Sequence, residues 1–369
     1  GQAKDAKGMS ALLRSGLEWF IAQRWLMSVF LVIGFVLAFA IPEYNLLNKY
    51  VQLVMMYVGI NIILTVSLNL VNGYMGEFSL AHAGFMAVGA YTAALLTMKV
   101  LPVAAYPALF PLAVLAGGMV AAIMGLIVAV PSFKIRGDYL AIITLAFLMI
   151  VKSVIENIDY IGGPRGIPGI KRLTTLPWVF FWTVATVWMI RNFVYSKYGR
   201  GVLSIREDEI ASDLMSVNTK RVKFLAFMLS SFCAGVAGAL FAHLLQFISP
   251  RVFDIIKTTD VLIMVYLGGI ASIGGSILGA TVYTALMELL RPSTMAALLD
   301  WLPELIFDPL NHYIIQNLGV WRMVIMPLLL VLVMLYWPRG MMGQREFRGF
   351  IPRRDRDAHR RLNAPGEKP

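Results

Sequence analysis

A single cysteine, Cys233, is all the thiol chemistry that this 369-residue chain carries. No intramolecular disulfide can form, and Cys233, set in an apolar run, reads as a small buried hydrophobe. Histidine is scarce too. His82, His243, His312 and His359 fall at no spacing that would assemble a metal site, with one another or with the cysteine. No glycine is followed by lysine, which removes the G-x-x-x-x-G-K-[ST] loop that cradles nucleotide phosphates. The G-x-S-x-G nucleophile turn is missing as well. These absences argue against an enzyme and against a metal or other cofactor held by this chain.

Charge is the larger shortage. Only 14% of the residues are charged and 59% are hydrophobic, whereas soluble domains carry about a quarter charged residues. So little polar surface cannot keep a globule of this length wet. The charge that is present is basic, net +11. Nine of the 32 Lys and Arg lie in the tail Arg339–Lys368, and six lie between Lys197 and Lys223. Basic clusters beside apolar spans are what the positive-inside rule puts on the cytoplasmic side. They predict contact with membrane lipid and no nucleic-acid partner.

What is abundant is apolar sequence in blocks near the ~20 residues a helix needs to cross a bilayer. The runs are Trp25–Ile41, Tyr50–Val71, Phe78–Met98, Tyr106–Val130, Tyr139–Ile155, Leu176–Val194, Phe224–Ile248, Val261–Leu290 and Val320–Trp337. Strict alternation over short strands, the mark of a membrane β-barrel, is missing. The pattern predicts an all-α, polytopic transmembrane helix bundle of roughly 8–10 spans with broken or re-entrant Gly-rich segments. Residues 1–24 form a cytoplasmic N-terminal segment, 25–338 the transmembrane domain and 339–369 a basic cytoplasmic tail. Lys4, Lys7, Arg14 and Arg24 set the N-terminus inside. No small-residue cleavage site follows the first span, which is expected to be retained.

Counting crossings places the loop 197–223 inside, with Ile161–Lys171 and Arg251–Asp260 outside. The tail must end inside. Val261–Leu290 is too short for two full helices and is broken by Gly268-Gly269 and Gly274-Gly275. A re-entrant pair, entering and leaving on the outer side, satisfies the count. A further crossing within Met295–Ile315 is the competing account. Asn72–Gly89 and Leu267–Gly279 echo each other as Gly-rich interruptions followed by a small-residue helix.

The loop Tyr198–Lys223 is a long polar insertion between two spans. Leu203, Ile210, Leu214 and Val217 recur at helical spacing, which predicts one amphipathic rod over Ile205–Val217. Arg206, Glu209 and Asp213 project away from that stripe. A polar face with Glu207, Asp208, Glu209 and Asp213 would be repelled by anionic lipid, so a protein partner fits better. Lys220, Arg221 and Lys223 mark the return to the membrane surface.

This loop resembles the coupling-helix region of permeases in the branched-chain amino-acid ABC importer family (LivH/LivM type), nearest the M-type subunit. LNLVNGYMGEFSLAHAGFMAVGAY (Leu68–Tyr91), IRGDYLAIITLAF (Ile135–Phe147), GGPRGIPGI (Gly162–Ile170) and GGIASIGGSILGA (Gly268–Ala280) resemble the family's other signatures. Pro164-Arg165 stands where small polar residues are more usual. The similarity runs from about Gln52 to Gly343.

The resemblance implies a subunit of the bacterial plasma (inner) membrane with both termini cytoplasmic. Its implied partners are a second, LivH-like permease subunit, two ATP-binding subunits that hold ATP-Mg, and an extracytoplasmic solute-binding protein. The cargo would be leucine, isoleucine and valine, with urea, amides or other amino acids as alternatives within the family. An ion-coupled secondary transporter is the alternative outside it, although mid-span charge is sparse. The resemblance further implies that Ile205, Arg206, Glu207, Asp208, Glu209, Ala211, Asp213 and Leu214 dock into an ATPase subunit.

Paired interruptions in the two halves of a transporter point to its pathway. The candidates are Asn72, Gly73, Gly76, Ser79, His82, Gly268 and Gly269. A helix starting near Phe78 would aim free amides at a solute carboxylate. Glu77 is expected to be solvated or paired with Lys134 or Arg136. Local pairs are expected for Glu288 with Arg291 and for Lys152 with Glu156.

Overall fold

The computed structural model describes residues 33–44, 46–100, 106–133, 139–291 and scattered positions between 324 and 346, including 340–343 and Glu346. The chain divides into two units, one of Gly1–Gln52 with Phe347–Pro369 and one of Leu53–Glu346. In the first, α1 (Ile33–Glu43) exposes Ile33, Val36, Leu37 and Phe39. So apolar a surface suits lipid and not water.

The second unit is the helical bundle. α2 (Lys49–Asn69) leads into it and continues as a π-helical turn over Leu70–Met75. α3 (His82–Leu95), α4 (Tyr106–Ser132), α5 (Tyr139–Glu156) and α6 (Leu176–Val194) come next. Two short helices, α7 (Lys197–Glu207) and α8 (Glu209–Leu214), precede α9 (Thr219–Leu245). α10 (Ile255–Gly268) and α11 (Ile273–Leu289) form a broken pair. A two-residue ribbon, β1 (Ile167–Pro168) against β2 (Phe247–Ile248), is the sheet seen among the described residues. Five helical segments there are long and apolar enough to cross a membrane: Lys49–Met75, His82–Val100, Ala108–Ser132, Tyr139–Glu156 and Thr219–Leu245. The chain is therefore an all-α integral membrane protein.

Helices in lipid gain nothing from hiding apolar surface from one another, so small residues that let backbones touch decide the packing. α3, α4 and α9 pack this way. A Cβ on Gly89 would stand 2.2 Å from the Gly235 carbonyl oxygen, and one on Gly235 would stand 2.5 Å from the Ala121 Cβ. A Cβ on Gly238 would meet the Met86 carbonyl oxygen at 1.9 Å. Phe85 and Phe227 fill the same interior, with ring centroids 5.7 Å apart.

The expected break is present, with α10 and α11 packed side by side about it. Asn61 Nδ2 donates to Thr284 Oγ1 at 2.9 Å, Thr65 Oγ1 lies 3.3 Å from Met264 Sδ, and Asn69 Nδ2 donates to Ser272 O at 2.9 Å. Along α2, the start of α11 therefore lies beside Asn69 and its far end beside Asn61. α10 descends toward the same break. At 14 residues it is ~21 Å long, short of a ~30 Å core. The alternative crossing at 295–315 and most of the expected 320–337 span lie outside the described residues.

Two boundaries differ from expectation. The helix expected from Phe78 begins at His82, because the Ser79 and Leu80 amides bond to Asn72 Oδ1 and Thr144 Oγ1 instead of starting a helix. The single rod expected over 205–217 is two helices. Asp208 is extended (φ −158°, ψ 114°) and its side chain accepts the Ala211 amide, so it ends α7 and caps α8.

At the end of α5 remote from the 197–223 loop, Lys152 pairs with Asp254 at 2.5 Å in place of Glu156. That bond, then the Ile255 amide, holds the Asp254 carboxyl below the usual carboxylate range. A depressed carboxylate contributes stability above its unfolded pKa and loses it as pH falls through the folded one. Thermal unfolding in detergent is therefore expected to carry an acid-side loss that Asp254→Asn removes; an unchanged pH profile would contradict it. In the core, Gly235→Val is expected to cost about 1–3 kcal/mol by overpacking. Gly201→Ala, whose Cβ would meet only Val222 and Val217 side-chain atoms at 3.4 Å or more, should leave the melting temperature near wild type.

Candidate functional site

The two glycine interruptions meet. A Cβ on Gly73 would stand 1.9 Å from Asn69 Oδ1 and 2.6 Å from the Ala271 amide nitrogen, so only glycine admits the break that closely. Asn69 then stitches it. Its Nδ2 donates to Ser272 O at 2.9 Å and Ser276 Oγ at 2.7 Å, and its Oδ1 accepts the Ala271 amide at 3.0 Å. Gly268 and Gly269 are buried beside this knot. Gly268 packs on α11 so tightly that a Cβ would lie 2.1 Å from the Gly275 carbonyl oxygen.

The other pathway candidates do different things. Asn72 Oδ1 accepts the Ser79 amide at 3.1 Å and closes the turn after the π-helical segment. Its Nδ2 is buried without a partner among the described residues. Ser79 is buried in that turn. Gly76 is exposed and left-handed at φ 76°, and a Cβ there would stand 3.0 Å from the Arg206 side chain of α7. His82 engages neither break. Its Nε2 lies 3.0 Å from Ser67 Oγ and 3.5 Å from Ser230 Oγ, buried among α2, α3 and α9.

The loop 197–223 is tied to this region by Lys223. Its ammonium lies 2.7 Å from Glu77 and 2.9 Å from Glu209. Lys223 was expected at the membrane surface with its neighbours Lys220 and Arg221; it is instead 5% exposed. Its head is neutralised twice, which is what makes burial of an ammonium tolerable. Lys134 and Arg136, the partners expected for Glu77, lie outside the described residues. Glu288 pairs with Arg291 at 3.0 Å, as expected from their spacing.

Around Lys223 the short helices are individually capped. Ser196 Oγ accepts the Tyr198 and Gly199 amides at the start of α7. Asn218 Oδ1 accepts the Arg221 amide at the start of α9, and Thr219 Oγ1 donates to Asp213. Of the expected docking residues, Ile205 is buried and Arg206 partly so. Glu207, Asp208, Glu209, Ala211, Asp213 and Leu214 are exposed. The apolar stripe faces away from the chain: Ile210 is 68% exposed, Leu214 81% and Met215 80%. Two large apolar side chains in one short capped helix, with Met215 just past its end, leave water only by meeting something else.

Asn69 and Lys223 tie this region together, and the sequence pattern did not single them out for it. An Asn amid an apolar span, and a Lys at the start of another, were the signals present.

A membrane bundle that buries a glycine-broken helix pair and carries a short helix with a bare apolar face at the same end suits a membrane permease subunit. Similarity to known proteins gives the family. Residues 50–334 match the branched-chain amino acid transport system / permease component family, and the chain belongs to it. It is 31% identical over 318 residues to the high-affinity branched-chain amino acid transport system permease protein LivM of Escherichia coli (strain K12), covering 77% of this chain and 68% of that protein. The LivM protein of Salmonella typhimurium matches equally, at 31% over 318 residues. A probable LivM permease of Methanocaldococcus jannaschii is 26% identical over 191 residues, 48% of this chain and 55% of its own. No solved structure matches the chain.

Removing either acid from Lys223 is expected to destabilise the chain, Glu77→Gln more than Glu209→Gln, since the Glu77 side chain is 24% exposed and that of Glu209 51%. A double-mutant cycle of Glu77→Gln with Lys223→Met, read by thermal unfolding, should give a coupling of about 0.5–3 kcal/mol. Strict additivity would show that the bridge contributes nothing.

Proposed function

We propose that this chain is the LivM-type membrane-spanning subunit of an ABC importer for leucine, isoleucine and valine. Its partners in this reading are a LivH-like permease, two ATP-binding subunits and an extracytoplasmic binding protein. The membrane is the bacterial inner membrane, with the 197–223 loop and both termini in the cytoplasm. The observation that carries the proposal is α8, whose Ile210 and Leu214, with Met215 just past its end, stand exposed beside Glu207, Asp208 and Asp213. This is an apolar anchor rimmed by acid, which suits a cleft in a protein better than a lipid surface.

The mechanism derives from the ties already described. Closure of the ATPase pair on ATP-Mg, which the partner subunits hold, pushes on α8. Glu209 and Lys223 pass the push to α9, and Glu77 passes it to the turn after the π-helical segment. Arg206 against Gly76 gives α7 a second point of purchase on that turn. The turn borders the Asn69 knot, so a rigid shift at the loop reaches the 269–272 break within one chain of contacts. In this reading Asn72, Gly73, Gly76, Ser79, Gly268 and Gly269 border the route. His82 is assigned to holding α2, α3 and α9 together.

The test is association and ATP-driven uptake in the reconstituted complex. Leu214→Ala forgoes burial of a leucine, about 1.5–3 kcal/mol, and should weaken ATPase association roughly tenfold or more. Ala211→Trp and Glu207→Lys should abolish both association and leucine uptake. Uptake that persists without ATPase subunits and collapses with the proton gradient would assign the chain to ion-coupled transport instead.

A further inference from the structure

The knot at the 269–272 break has a second side, supplied by residues beyond the stretch that the family match covers. Glu346 Oε2 accepts the Ile273 amide at 2.7 Å and Oε1 accepts the Gly274 amide at 2.8 Å. Ser272 Oγ accepts the next amide, from Gly275, at 2.9 Å. The first-turn amides of α11, which no helix can satisfy from within, are thus shared between one serine and one carboxylate. Two residues shortly before Glu346 in the sequence serve α10. The Met341 amide donates to Leu267 O at 2.9 Å and the Met342 amide to Gly268 O at 3.1 Å, taking up carbonyls at the helix's open end. Gly340, at φ 64°, lies so close that a Cβ would stand 2.7 Å from the Gly269 Cα.

We infer that Glu346 is a positioning residue of translocation: seated on the Ile273 and Gly274 amides, its carboxylate locks the 269–272 break in the closed arrangement, and it must leave for solute to pass that end. The inference rests on the proposed importer reading. Two features separate a lock from a plain cap. Met341 and Met342 bond to α10 and Glu346 to α11, so these contacts lie on both sides of the break that has to open. The Tyr74 hydroxyl, from the π-helical segment, reaches Glu346 Oε2 at 3.5 Å. That segment leads straight into Gly76, against which Arg206 of α7 packs. A displacement of α7 is therefore relayed to the lock through Tyr74. Release strands two amides, which water admitted by the opened route can satisfy.

The experiment uses the complete complex, with both permeases, the ATPases and the binding protein, in proteoliposomes. Ile270→Cys in a Cys233→Ser background reports opening through an impermeant maleimide added on the ATPase side. Glu346→Ala is expected to raise the labelling rate severalfold and to raise ATP hydrolysis in the absence of solute. Glu346→Gln, which keeps one acceptor oxygen at the same length, should give a smaller rise. Tyr74→Phe, which removes only the relay hydroxyl, should blunt the response of labelling to ATP. Should Glu346→Ala not assemble, Glu346→Gln and Tyr74→Phe decide the question. Labelling and solute-free hydrolysis at wild-type rates in the assembled variants would overturn the lock. The basal labelling of the Glu346 variants needs no ATP, so their outcome is distinguishable from failure of the importer reading, which would appear as uptake by wild-type vesicles without ATPase.

Discussion

An unpaired backbone amide or carbonyl inside hydrocarbon costs several kcal/mol, and this constraint governs how the chain can break a helix at membrane depth. The break at 269–272 exists because the side chain of Asn69 bonds to it at Ala271, Ser272 and Ser276. Gly73 lets the Asn69 turn approach closely enough for that to happen. The small residues of α10 and α11 then let the two half-helices touch through Gly268, Gly275 and Gly279. A hydrophobic side chain at position 69 would take the Ala271 amide's acceptor away inside the bundle.

The second dependence runs through Lys223. One buried ammonium ties three parts of the sequence together: the turn after the π-helical segment through Glu77, α8 through Glu209, and α9 through its own backbone. The geometry explains how a loop can transmit force without being one long rod. Asp208 divides it into α7, which packs on α9 and on Gly76, and α8, which stands out with its apolar face bare. A single rod over 205–217 would have carried Ile210 and Leu214 on the same stripe as Leu203. The cap at Asp208 re-aims them, so the gripping element and the transmitting element are separate helices joined by a salt bridge.

Much of the fold was legible because lipid leaves a simple record. Tyr139–Glu156 and Leu176–Val194 fall within a residue of their apolar runs, since an uninterrupted apolar stretch has one stable solution in a bilayer. The break within Val261–Leu290 showed in its paired glycines, Gly268-Gly269 and Gly274-Gly275. What failed to show was side-chain bonding. Phe78, Leu80 and Ala81 look as helical as the residues of α3, yet Asn72 and Thr144 draw the local amides out of a helix. Composition registers Lys223 as one more basic residue at a membrane edge, because its two acids are 146 and 14 positions away. Asp208 was readable in principle, as an acidic N-cap three residues before Ala211, but the apolar spacing on both sides of it favoured continuity.

The same limit bears on the site. Glycines that admit a close approach leave a mark in the sequence, and Gly73, Gly268 and Gly269 were found by it. The groups that make the approach stable, Asn69 on one side and Glu346 on the other, leave none. An asparagine in an apolar span and a glutamate in a basic tail each have ordinary explanations until their partners are known. The two are not equivalent in kind. Asn69 belongs to the helix it stitches to the break and moves with it, whereas Glu346 belongs to neither half-helix. A contact of the first kind sets where the break lies. One of the second kind can be withdrawn without unfolding a helix, and a cycle that opens and closes needs at least one such contact.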